Sequence, residues 1–165
     1  MSIPFAIAPA REQDVEQILA FIQDLADYER DSNAVVATET DLREALFGPA
    51  PTVFSVLCWQ GDTAIGFALF FFNFSTWLGR HGLYLEDLYV TPNHRGLGAG
   101  KSLLQHLAGI AVAKGCGRVE WSVLNWNQSA IEFYEAVGAK PQSEWTVYRL
   151  TGKSLSSFAR EANKP

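Results

Sequence analysis

The sequence has little cysteine, little positive charge and no long apolar run. Its two cysteines, Cys58 and Cys116, are isolated and fit neither a disulfide framework nor a metal-binding spacing. Thirteen basic against eighteen acidic residues give a net charge of −5, which argues against nucleic acid as a main partner because no basic patch can neutralise phosphates. The very apolar residues 67–74 are too few to cross a bilayer.

The composition is that of a globular protein of modest size. Apolar residues make up 48% and charged residues 19% of the 165 residues, so we expect one folded domain, residues 1–165. The N-terminus lacks a basic region followed by an apolar run, so no signal peptide and a cytoplasmic protein are predicted. The acidic balance is compatible with a small cationic substrate.

Hydrophobic periodicity predicts an α/β chain with the order β-α-α-β-β-β-α-β-α-β. Helices are predicted over residues 10–28, from Thr38 to Gly48, after a glycine-rich turn as far as Lys114, and over residues 129–137. The hydroxyl group of either Thr38 or Thr40 could cap the second of these helices. Strands are predicted over residues 3–8, 52–59, 64–74, 83–90, 118–124 and 145–150.

The glycine-rich turn follows the predicted strand 83–90 and contains Gly96, Gly98 and Gly100. A turn from a strand into a helix leaves backbone N–H groups without intrahelical partners. Together with the helix dipole they bind anions, usually phosphate. Glycine lets such a ligand approach the backbone closely.

Three phosphate-binding patterns compete for this turn. A Walker A loop ending at residues 100–102 would need glycine where Arg95 stands. A dinucleotide fingerprint would need a third glycine at position 101, although Glu120 lies about where a ribose-binding acid is expected. The pattern Arg/Gln-x-x-Gly-x-Gly/Ala is matched in full by Arg95, Gly98 and Gly100.

The matched pattern is the pyrophosphate-binding motif of the GNAT family of acetyl-CoA-dependent N-acetyltransferases. The chain resembles this family over nearly its whole length, most closely the spermidine/spermine (diamine) and thialysine N-acetyltransferase branch. The similar segments are residues 25–29, 38–48, 74–79, 83–90 and 126–134. The resemblance implies a GNAT fold: a mixed, mostly antiparallel central sheet with a splayed fourth strand and helices on both faces. It also implies acetyl-CoA as cofactor, a small-molecule amine as acceptor and a homodimer.

Acetyl transfer to an amine needs a base, because an alkylammonium has no lone pair to attack with. It also needs an acid to protonate the departing thiolate. The resemblance assigns Glu86 as the base, acting through a water, and Tyr134 as the acid. Side chains alternate along a strand, so Asp87 is expected on the opposite face from Glu86, and one of the pair is expected to be structural or substrate-binding.

The resemblance also assigns the residues that contact each ligand. The cofactor would contact the strand end, the loop and the start of the last helix, at Leu88, Tyr89, Val90, Arg95, Gly96, Leu97, Gly98, Ala99, Gly100, Lys101, Asn127 and Ser129. The acceptor would contact Tyr28, Glu29, Trp77, Glu86, Asp87 and Trp145.

The acidic residues that would hold a long polyamine are fewer than in the polyamine enzymes. Ser75 and Thr76 stand where those enzymes have an acid, and only Glu144 precedes Trp145. We therefore expect a diamine or a lysine-like amino acid such as thialysine to be acetylated at least as well as spermine.

Two other function classes stay open at this point. A non-catalytic acetyl-CoA-binding sensor or interaction module would not need Glu86 and Tyr134, and a nucleotide-binding protein using residues 100–102 would not have Arg95. The histidines have no partner at metal-ligand spacing, so no metal is predicted.

Overall fold

The structure, a computed structural model, describes residues 5–162, and the chain divides after Leu124 into two compact units. The elements of the first unit are β1 (Ala6–Pro9), α1 (Val15–Tyr28), α2 (Glu39–Phe47), β2 (Val53–Gln60), β3 (Thr63–Ser75), β4 (Arg80–Val90), α3 (Ala99–Ala113) and β5 (Val119–Glu120). The second unit contains α4 (Gln128–Ala136) and α5 (Gly152–Glu161). Within the described range, no helix has the length and apolarity needed to span a membrane.

The five strands form one sheet in the order β1-β2-β3-β4-β5. The first three pairings are antiparallel, and the pairing of β4 with β5 is parallel. β5 pairs with β4 only at Leu83 and Tyr84, so the remainder of β4, up to Val90, is paired with β3 alone. The predicted mixed sheet and its splayed fourth strand are confirmed.

Helices cover both faces of this sheet. On one face the Phe21 ring of α1 lies 5.7 Å from the Phe67 ring and 5.6 Å from the Tyr89 ring. On the other face Lys114, which ends α3, lies 5.8 Å from the Phe72 ring centre. Phe67 and Phe72 are five residues apart in β3, so they point to opposite faces.

The last predicted strand, residues 145–150, is wrong. No regular structure forms there, and a helix that the sequence did not predict, α5, follows it. Trp145 and Val147 alternate with polar residues as strand residues do, but a strand also needs a neighbour for its backbone groups. The predicted strand 118–124 shortens to β5, and α1 begins at Val15, after a short 3-10 turn. Residues 3 and 4 of the first predicted strand lie outside the described residues.

The predicted start of α2 is confirmed in detail. Thr38 caps the helix by accepting a hydrogen bond at Oγ1 from the Asp41 N–H, 3.2 Å away. The Asp41 carboxylate in turn accepts from the Thr38 N–H at 2.8 Å, which completes a capping box.

Thr38→Ala should therefore lower the free energy of unfolding by about 0.5–2 kcal/mol, because it leaves an N–H at the helix start without its acceptor. Thr40→Ala is the matched control, since it removes the same kind of side chain at the second residue of the helix, which is not the cap. Urea unfolding of the two variants tests this. Equal loss of stability in both would contradict the capping role.

Candidate active site

A β-bulge in β4 sets the position of two carboxylates. Asp87 is paired with Leu69 and Leu85 with Phe70, so Glu86 lies between two paired residues without a cross-strand partner of its own. An extra residue of this kind interrupts the alternation of side chains. The regular alternation on which the expected opposite placement of Glu86 and Asp87 depends is therefore interrupted at this point, and the charge of Glu86 acts on Asp87.

A third carboxylate reaches the same place from the end of α1. Burial and, to a smaller extent, the negative charges of Glu86 and Glu29 together raise the pKa of Asp87 to about 6. Partial burial also raises the pKa of Glu29, which directly follows the last residue of α1. We call Glu29, Glu86 and Asp87 the acidic cluster. It attracts a cation, and a carboxyl group with a pKa near 6 can exchange a proton near neutral pH.

The glycine loop has the geometry of an anion site. Gly96 and Gly98 have φ angles of 75° and 94°, and Gly98 precedes α3 without a side-chain cap. The Ser102 N–H bonds to the Gly98 carbonyl at 2.9 Å, so the N–H groups of residues 99–101 precede the first intrahelical bond. A Cβ atom added at Gly98 would meet no atom within 4 Å, so the space beside this backbone is open for a ligand.

Arg95, the first residue of the loop motif, lies against α1 and β4. Its Nε atom donates a hydrogen bond to the Val90 carbonyl at 2.8 Å. Its guanidinium carbon lies 4.8 Å from the ring centre of Tyr28 and 5.4 Å from that of Tyr89. The contact of Arg95 with phosphate, expected from the motif, stays a prediction.

Asp24 is a member of this network that the sequence did not reveal. Burial and the Asp24 charge raise the pKa of Tyr89, the Arg95 charge lowers it, and both side chains also hydrogen-bond the Tyr89 hydroxyl group. Nothing local marks Asp24, which looks like one more exposed acid on a helix. Its role depends on where β4 places Tyr89.

The other residues predicted in this unit fall into two groups. Leu88, Tyr89 and Val90 form the end of β4, in the part that β5 does not pair with. Leu97 and Lys101 are exposed in the loop and at the start of α3, and Trp77 is 87% exposed in the turn between β3 and β4. The loop amides and the unpaired strand edge fit a ligand that has a diphosphate and an extended arm with amide groups, as coenzyme A has.

The second unit contains the remaining predicted residues. Asn127 caps α4, where its Oδ1 accepts hydrogen bonds from the Ala130 N–H at 3.4 Å and from the Ser129 hydroxyl at 3.3 Å. Tyr134 is half-buried on the same helix, with its ring 5.3 Å from that of Phe133. Trp145 is exposed. The expected cofactor contact of Asn127 and acid role of Tyr134 stay predictions.

Comparison with known proteins gives one consistent family. The model of the acetyltransferase (GNAT) family matches residues 18–139. A thialysine N-epsilon-acetyltransferase of Bos taurus is 36% identical over 164 residues, which cover 93% of this chain and 96% of that protein. An L-ornithine N5-acetyltransferase of Arabidopsis thaliana is 47% identical over 93 residues, 56% of this chain and 41% of that protein. A solved integron cassette protein from the V. cholerae mobile metagenome has a TM-score of 0.79 at 30% identity, covering 97% of this chain and 99% of that one.

The raised pKa of Asp87 predicts a pH-dependent cost of folding. The folded protein holds the Asp87 proton more tightly than the unfolded chain, so stability from this group is present below about pH 4 and is lost as the pH rises through about 6. At pH 8 the free energy of unfolding of Asp87→Asn should therefore exceed that of the parent by on the order of 3 kcal/mol, and the gain should vanish at pH 4.

Asp62→Asn, in the exposed turn between β2 and β3, is the control and should show no such difference. Urea unfolding at the two pH values measures the effect. An Asp87→Asn variant that is no more stable than its parent at pH 8 would mean that folding does not raise the pKa of the Asp87 carboxyl group.

Proposed function

Because this chain belongs to the GNAT family of acetyltransferases, we propose that it transfers the acetyl group of acetyl-CoA to a primary amine of a small molecule. The acidic cluster is the observation that carries the proposal. It combines three carboxylates, which attract a cationic amine, with one group, Asp87, whose pKa of about 6 suits proton transfer. The whole chain, including α4, would function as one catalytic domain.

The acceptor that fits best is a diamine or a lysine-like amino acid such as thialysine. Three carboxylates can balance one or two ammonium groups. The relatives support this class, because the bovine protein is named for thialysine and the Arabidopsis protein for ornithine, and both substrates carry a side-chain amine.

Asp87 is the better base of the two adjacent acids. The resemblance assigned this role to Glu86, but burial and the charges of Glu29 and Glu86 raise the pKa of Asp87 into the range where a general base works best. A carboxylate oxygen of Asp87 would take the proton of the ammonium group, and Glu86 would hold the cation beside it. The freed nitrogen would then attack the acetyl carbon directly, in a ternary complex.

The other residues would bind the cofactor and complete the proton transfers. When bound, acetyl-CoA supplies the activated acetyl thioester. The N–H groups at the start of α3 would bind its pyrophosphate, and the free edge of Leu88–Val90 would align its pantetheine arm. The Tyr134 hydroxyl group would give its proton to the departing sulfur.

A homodimer in the cytoplasm would suit two further observations. Large apolar side chains are exposed through the second half of the second unit, namely Trp145, Val147, Tyr148, Leu150, Leu155 and Phe158. Such a series marks a surface that is covered by a partner, and a second copy of the chain is the partner we propose.

The state of the cysteines suits the cytoplasm. Cys58 and Cys116 are free thiols, as is usual in a reducing compartment.

A panel of amines assayed with acetyl-CoA tests the proposed function directly. We expect thialysine, ornithine and short diamines to be acetylated, with kcat/KM no higher for spermine, because each further ammonium group would meet only water or an aromatic face. A tenfold preference for spermine would show that the acceptor site extends over acids outside the cluster. No acetylation of any amine would remove the proposal.

The cofactor site is tested by Gly98→Val against Gly61→Val. Both glycines have positive φ angles, 94° at Gly98 and 58° at Gly61, and open space for a side chain, so both variants place a valine in a backbone conformation that favours glycine. Only the valine at position 98 would stand where the pyrophosphate approaches the backbone. Calorimetry should show acetyl-CoA affinity reduced tenfold or more in Gly98→Val and unchanged in Gly61→Val. Equal affinities in the two variants would place the pyrophosphate elsewhere.

A further inference from the structure

We propose that Arg95 positions Tyr28 and Glu29 for the acceptor amine, so that the arginine of the phosphate-loop motif sets acceptor binding. This inference rests on the proposed function and gives Arg95 a role on the acceptor side of the site. Arg95 is a positioning residue here, since it would act through the end of α1.

The first contact joins Arg95 to α1. Tyr28 is the last residue of this helix, and its ring centre lies 4.8 Å from the guanidinium carbon, which is within cation–π range. Glu29 follows immediately, and its charge reaches Asp87. A side chain that holds Tyr28 therefore also restrains the backbone from which the Glu29 side chain extends.

The second contact joins Arg95 to the end of β4. Its Nε atom donates to the Val90 carbonyl at 2.8 Å, and its guanidinium carbon lies 5.4 Å from the Tyr89 ring centre. Tyr89 is 6% exposed and packs on Phe21 of α1, so this side of the contact is fixed by the core. Arg95 thus connects a rigid strand end to a helix end at the protein surface.

The backbone beyond Glu29 closes α1 with its own hydrogen bonds. Arg30 has a φ angle of 65°, the left-handed conformation that commonly ends a helix. The Arg30 N–H donates to the Asp27 carbonyl at 3.1 Å and the Asp31 N–H to the Ala26 carbonyl at 2.9 Å. The helix end is therefore formed without Arg95, and Arg95 acts on the Tyr28 side chain that this end presents.

Loss of Arg95 should change the acceptor site in two measurable ways. Glu29 would no longer be held beside the ammonium group, so the acceptor KM should rise. Asp87 would lose part of the Glu29 charge, so its pKa should fall from about 6. The other charged groups nearby are Glu86 on β4, which stays in place, and Asp24 on α1, which acts at Tyr89.

The test compares Arg95→Gln, Tyr28→Leu, their double variant and the control Lys101→Gln, which removes a different cation, at the start of α3, and leaves the Arg95–Tyr28 contact in place. Three quantities are measured: the acceptor KM at saturating acetyl-CoA, the acetyl-CoA Kd by calorimetry without acceptor, and the titration of Asp87 by carboxyl ¹³C NMR. Each single variant at positions 95 and 28 should raise the acceptor KM about three- to tenfold. The double variant should raise the acceptor KM little further, because the two substitutions remove the same Arg95–Tyr28 contact.

The Asp87 midpoint should fall in Arg95→Gln and Tyr28→Leu and stay in place in Lys101→Gln. Two results would overturn the proposal and leave Arg95 as a phosphate ligand only. One is an increase of the acceptor KM in the double variant that equals the product of the two single increases. The other is an Arg95→Gln variant whose acceptor KM and Asp87 titration are unchanged. If the parent protein acetylates no amine, the proposed function fails. The Asp87 titration then still decides whether Arg95 places Glu29.

Discussion

The extra residue at Glu86 in β4 determines which side chains at the end of this strand face α1. Side chains alternate between the two faces along a strand. One inserted residue therefore moves every later side chain of β4 to the sheet face opposite the one it would have in a regular strand. Beyond the bulge, Asp87 is paired with Leu69 and Tyr89 with Phe67, on the sheet face that α1 covers. Without the bulge these two side chains would point away from α1, and neither the acidic cluster nor the Tyr89–Arg95 contact could form.

The same strand end also serves the cofactor side. β5 leaves β4 after Tyr84, so among the described residues the backbone from Leu85 to Val90 has a strand neighbour on one edge only, which is β3. The glycine loop then starts one turn after Val90 and presents the first N–H groups of α3. In the proposed function, a single strand would therefore bring together an acceptor bound by carboxylates and a cofactor bound by backbone amides. The cationic acceptor and the anionic phosphates would then contact different kinds of group.

The sequence predicts what depends on local chemistry. Thr38 and Thr40 indicate the start of α2, where the structure selects Thr38 as the cap, and Gly96 and Gly98 indicate a loop whose backbone a ligand could approach. The bulge could not be predicted, because Glu86 and Asp87 look the same in a regular strand as in a bulged one, and only the register with β3 separates the two cases. The strand expected over residues 145–150 failed for a related reason, since alternation describes a side-chain pattern and does not supply a neighbouring strand. Arg95 was recognised by its motif, but its contact with Tyr28 depends on the packing of α1 on the sheet.

The central claim is that Asp87, brought to the α1 face by the bulge, removes the proton from the amine. The pH dependence of kcat in the parent, Glu86→Gln and Asp87→Asn tests it most directly, because kcat reports groups in the complex with both substrates bound. We predict a rising limb near pH 6 in the parent, the same limb at lower pH in Glu86→Gln because a neighbouring negative charge is gone, and no such limb in Asp87→Asn. A limb that persists unchanged in Asp87→Asn and disappears in Glu86→Gln would contradict the account and return the role of base to Glu86.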